Sequence, residues 1–150
     1  MHLTVNAQEK LQMAYINQET KANIVAAVKP ILKKYGVKAS FGIDNHSTFV
    51  VNIKSGVLDF IGNANEVIQN RAYGDKVEGN VIYDYIQVNQ YWINDNYTGA
   101  VRNFLVELYA AIKAAGNWFD KSDIQTDYFH TAFYIDVNVG KWNKAYELTA

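Results

Sequence analysis

The sequence predicts an α+β fold: an antiparallel sheet of about four to five strands with two main amphipathic helices packed on one face. Two helical stripes and three alternating runs carry this reading. Ile24, Val25, Val28, Ile31, Leu32 and Tyr35 recur at helical spacing, and so do Val101, Phe104, Leu105, Leu108 and Ile112. The runs Val37–Ala39–Phe41–Ile43, Phe49–Val51–Ile53 and Phe133–Ile135–Val137–Val139 alternate with polar or small residues, the period of a strand with one buried face. Sheets that are apolar on one face are the ones covered by helices on one side.

The chain has 150 residues, enough for one domain with its own core and no covalent staples. Hydrophobic residues make up 49% and aromatic residues 14%, a globular composition. With no cysteine, disulfides, thiol catalysis and thiolate metal sites are excluded, which suits a reducing cytoplasm. No apolar run approaches the ~20 residues of a membrane span, so no membrane association is expected. A net charge of -1 gives no global attraction to nucleic acid. The charge is uneven, with seven Lys/Arg against three Asp/Glu in residues 1–54 and two against six in residues 55–100.

Residues 1–12 are polar and aperiodic and read as a leader or loose extension, with Met13 the expected start of a single domain over 13–150. The first helix begins with Asn17 as its cap and Glu19 in the first turn, and carries Pro30 opposite its apolar stripe, where a proline bends the helix without breaking it. Gly36 stands where a left-handed exit residue belongs. The next two strands join through Asp44-Asn45-His46-Ser47, with Asn45 suited to positive φ. Asn63 and Glu66 have capping-box spacing for a short helix to about Ala72. Residues 73–80 are turn-rich, and Val81 to Val88 reads as a strand. Asn94-Asp95-Asn96 is a second cap signal, before a helix over about Tyr97–Ala115 that ends at Gly116-Asn117. After the last alternating run, Gly140-Lys141 turns and Trp142 to Leu148 is expected to pair back.

Motifs for phosphate loops, nucleophile elbows and paired metal histidines are absent. Three features remain. His46 beside Asp44 is a candidate base or metal ligand, with His130, near Asp123 and Asp127, as a third member if the fold joins them. Its simpler reading is a turn histidine. Tyr83, Tyr85, Tyr91, Trp92 and Tyr97, interleaved with Gln87, Asn89, Gln90, Asn94 and Asn96, have the composition of a binding surface, although some of these rings are needed for the core. Lys29, Lys33, Lys34 and Lys38 form a basic patch on and after the first helix, which reads first as a solvated face. No cofactor and no metal site are expected.

Two stretches carry a resemblance. One runs from Val28 to Gly56 and includes Val28-Lys29-Pro30-Ile31-Leu32-Lys33-Lys34-Tyr35-Gly36, Asn45-His46-Ser47-Thr48 and Val51-Asn52-Ile53-Lys54-Ser55-Gly56. The other joins Asp123-Ile124-Gln125-Thr126-Asp127-Tyr128-Phe129 to the run from Tyr134 to Lys144. Both resemble a family of small proteins of tailed phages and prophages that has no assigned catalytic residues. The first is also similar to a domain of the large polyvalent proteins of phages and plasmids, which often has Arg where this chain has Gly42 or Ile43. The resemblance implies an accessory phage protein, made in the bacterial host cytoplasm. The expected function is therefore non-catalytic binding of a host, defence or phage macromolecule, with a protein partner favoured. The alternatives are a small hydrolase or metal-dependent enzyme using His46 and Asp44, and a nucleic-acid binder using the lysines of the first helix.

Overall fold

The computed structural model describes residues 14–71, 80–121 and 131–149. The leader expected over 1–12 and the segment holding Asp123, Asp127 and His130 lie outside the described residues.

The first helix, α1 (Gln18–Tyr35), forms as its residues dictate. The Asn17 side chain accepts the Thr20 N–H at 2.8 Å, and Gly36 closes the other end in the left-handed region at φ 66°. Pro30 is exposed and the helix continues through it. Strands β1 (Val37–Asp44) and β2 (Thr48–Gly56) pair antiparallel around the expected turn. Both central turn residues, Asn45 at φ 51° and His46 at φ 58°, are left-handed, the backbone that matches the strand twist in tight hairpins.

The second helix, α2 (Phe60–Arg71), corrects the expected capping box. Asp59 is the residue that caps, accepting the Gly62 N–H at 2.8 Å, while Asn63 lies inside the helix and reaches Thr98 instead. The strand expected over Val81–Val88 is confined to β3 (Ile86–Val88), because the chain before it is held by side chains rather than by a neighbouring strand. Buried Asn65 does this: its oxygen accepts the Val81 and Ile82 N–H groups, and its amide donates to the Ile61 and Ile82 carbonyls.

A 3₁₀ turn (Gln90–Trp92) and the one-turn α3 (Ile93–Asn96) lead into α4 (Gly99–Ala115). Thus Asn94-Asp95-Asn96 belongs to a separate short helix, and α4 starts two residues after the expected Tyr97. Val101, Phe104, Leu105, Leu108 and Ile112 of α4 are buried as predicted. The chain closes with β4 (Tyr134–Val139) and β5 (Glu147–Leu148).

The α+β fold with a five-stranded sheet holds, but the sheet is mixed rather than antiparallel. Its order is β1-β2-β4-β3, with β4 parallel to β2 and antiparallel to β3. β5 does not pair back on β4; it also runs parallel to β2, through Ser55 and Gly56. A parallel pair needs a long crossover, and here α2, β3 and α4 supply it. Alternation has the same period in both arrangements, so strand direction was invisible in the pattern.

One face of the sheet makes the core. Phe49, Val51, Ile53, Val137 and Val139 are fully buried there, under Ile24 and Val28 of α1, Phe60 of α2 and Phe104, Leu105, Leu108 and Ile112 of α4. Ring contacts join the layers: Tyr35 meets Phe104 edge-on at 5.4 Å, and Phe60 meets both Phe104 and Tyr146. The other face presents Ser40, Asn52, Asn138 and Gln87 in one row across β1, β2, β4 and β3.

Candidate functional site

The expected aromatic surface divides at β3. Tyr83 and Tyr85, before the strand, are exposed at 70% and 49%, while its inward residues Ile86 and Val88 are buried. The three residues of β3 then carry the chain about 10 Å along the sheet. Beyond them, the Asn89 side chain accepts the Tyr91 N–H at 3.0 Å and starts the 3₁₀ turn. Ile93, 6% exposed, anchors the end of that turn in the core. The geometry leaves Tyr91 and Trp92 exposed at 70% and 56%.

Tyr97 does not belong to this surface. It is 3% exposed and forms part of the core, because the chain turns inward after α3. Burial pushes its hydroxyl up to about 12. Three of the interleaved amides are also used internally: Asn89 caps, Asn94 accepts the Arg102 Nε–H at 2.9 Å, and Asn96 faces Arg71.

Tyr91 borders a groove of about 310 Å³ between the 3₁₀ turn and the outer side of α4, lined also by Gln90, Asn94, Val106, Tyr109 and Lys113. Tyr109 is 5% exposed, and its hydroxyl is buried with no hydrogen-bond partner. The Gln90 side-chain oxygen is buried and unpartnered in the same groove. Buried polar atoms of this kind are rare, because each forfeits the hydrogen bonds it would make in water. Burial, helped by Tyr97 and Asp136, pushes the Tyr109 hydroxyl well above the usual tyrosine range, so it stays a neutral donor and acceptor. Lys113 rests its ammonium 4.3 Å from the Trp118 ring centre, and partial burial lowers its pKa. The groove therefore has walls of mixed polarity with the Tyr91 ring at its rim, and the unpartnered Tyr109 hydroxyl and Gln90 oxygen lie buried beneath its surface. The sequence pointed to Tyr91 and Trp92; Tyr109 was not among the residues it singled out.

Among the described residues, no hydrogen bond or ion pair joins the side chains of His46 and Asp44. His46 is exposed at the turn tip, and its backbone carbonyl accepts the Ile16 N–H. Asp44 is set on the open sheet face, where it lines a groove that His46 does not reach. His130 lies outside the described residues. Among the described residues no three His, Cys, Asp or Glu side chains group to hold a metal.

The basic patch is also thinner than the sequence suggested. Lys29, Lys33 and Lys38 are exposed, but Lys34 bonds Glu107 of α4 at 2.8 Å. That bond raises the Lys34 pKa and lowers that of Glu107, which also accepts the Tyr35 hydroxyl. One of the four charges is therefore already neutralised.

No helix among the described residues is long and apolar enough to cross a membrane. Comparison with protein-family models, with curated proteins and with solved structures gives no match.

Proposed function

We propose that this chain is a non-catalytic accessory protein of phage type that works in the bacterial cytoplasm by binding a protein of host, defence or phage origin. The contact surface is the rim and floor of the groove beside Tyr91 and Trp92. One observation carries the proposal: the adjacent Tyr91 and Trp92 rings stand exposed at 70% and 56%, and Tyr91 lines a groove of about 310 Å³ against α4. Exposed aromatic anchors around pockets that exclude water are what supplies most of the energy at protein interfaces, with ≥ ~2 kcal/mol from a single ring. The phage setting rests on the resemblance of the Val28–Gly56, Asp123–Phe129 and Tyr134–Lys144 stretches alone.

The test is affinity capture from host lysate with wild type and with Tyr91→Ala/Trp92→Ala. Because both rings are exposed, the variant is expected to melt within a few degrees of wild type. The partner retained by wild type should be lost or at least tenfold depleted. Equal capture by a folded variant would overturn the proposal.

A further inference from the structure

Among the described residues no helix covers the outer face of the sheet, and that face is graded. At one end, Lys54 follows the Asn52 row on β2, and the chain leaving β4 makes a tight turn at Lys141–Lys144, closed by a 2.7 Å bond from the Lys141 N–H to the Lys144 carbonyl. Lys54, Lys141 and Lys144 line one cavity of about 160 Å³. No carboxylate among the described residues pairs with any of the three. The turn carries Trp142 at its tip, 78% exposed, the largest exposure among the large apolar side chains described. Gly140, at φ 73°, sets the turn, and a Cβ there would lie 2.7 Å from the Asp84 carbonyl oxygen.

A second cavity, of about 360 Å³, shares Asn52 and Lys141 with the first and runs down the face past Asn138 and Asp136. Beyond it, in register with Thr48, stands Tyr134, 55% exposed. From Lys54 to Thr48 the track spans six residues of strand, about 20 Å.

We propose that this face binds single-stranded nucleic acid, with the sugar–phosphate backbone at Lys54, Lys141 and Lys144 and bases stacking on Trp142 and Tyr134. Three unpaired ammonium groups around one cavity complement phosphates. Neutral amides along the track, with an exposed ring next to each of its ends, suit unstacked bases, whose edges hydrogen-bond and whose flat faces stack. Asp44 and Asp136 near the far end disfavour close phosphate contacts there, so the ionic contacts are those at the lysine end. This surface is distinct from the lysines of α1 and from the groove beside Tyr91.

The experiment is fluorescence anisotropy of a labelled oligothymidylate of about twelve nucleotides, titrated with the full chain across a salt series. Three phosphate contacts to a single strand give a log–log salt slope of about -2. Trp142→Ala should weaken binding about tenfold, from the loss of one stacked base. Lys141→Gln/Lys144→Gln should flatten the slope by more than half, whereas Lys29→Gln/Lys33→Gln on α1 should leave affinity and slope unchanged. The exposed positions keep all three variants foldable, which a melting curve checks. Absence of binding at low salt overturns the proposal. So does an unchanged slope in the Lys141/Lys144 variant, or equal competition by an acidic peptide of the same charge.

Discussion

Asn65 is the single polar side chain in the described core, and it spends all four of its hydrogen-bonding positions on the backbone. It ties α2 to the chain entering β3, across sixteen positions of sequence in its bond to Val81. Removing it leaves buried N–H and C=O groups without partners, which cost about 1–3 kcal/mol each to strand. Asn65→Ala should therefore destabilise the protein by about 2–4 kcal/mol in chemical denaturation, well above the effect of an exposed substitution. Residue-scale reading of the sequence missed this role, because an asparagine at a helical position looks like a surface or cap residue. Where geometry is local, residues were legible: Asn17, Gly36 and Asn45 do what their chemistry suggests. Tyr97 was misassigned for the same reason that Asn65 was missed. Its burial follows from the chain turning inward after α3, which no neighbour in sequence announces.

Elements with a strong period were legible, and those shaped by distant contacts were not. α1, β1, β2, α4 and β4 lie where their stripes put them. The N-terminus of α4 escaped a local reading because the Thr98 N–H is taken by Asn63, thirty-five residues earlier. β4 is the element on which the sheet depends. It lies between β2 and β3, with Val137 paired to Val51 on one side and Val88 on the other, and Val137 is fully buried. Val137→Asp places an unpaired charge at that point, at a cost of several kcal/mol against a total stability of about 5–15. The variant should be insoluble or lack a cooperative melt. A soluble variant with an unchanged melting temperature would mean that β4 does not hold the centre of the core.

At the scale of the whole molecule, tyrosine burial links stability to pH. Burial pushes Tyr97 to about 12, and burial together with Asp59 pushes Tyr146 to about 12 as well. In the unfolded chain both titrate near 10. The contribution of each is fully present below pH ~10. Above it the unfolded chain releases protons that the native state keeps, so stability falls as pH rises from about 10 toward 12. Tyr97→Phe should make that loss shallower while changing the neutral-pH melting temperature little. The mixed sheet is likewise a whole-molecule property, since strand direction depends on a crossover that spans half the chain. The groove, too, joins two segments, one around Tyr91 and one around Tyr109, and only the first carried a visible signal. The rings announced a surface; the groove beside Tyr91 appears only once α4 lies beside the 3₁₀ turn.

The most direct measurement of the central claim is hydrogen–deuterium exchange of the chain alone and in complex with its captured partner. Binding at the groove should slow exchange over residues 89–97 and 105–113 and leave the turn at Asp44–Ser47 unchanged. Protection at Asp44–Ser47 or along α1, with residues 89–97 and 105–113 unaltered, would contradict the account.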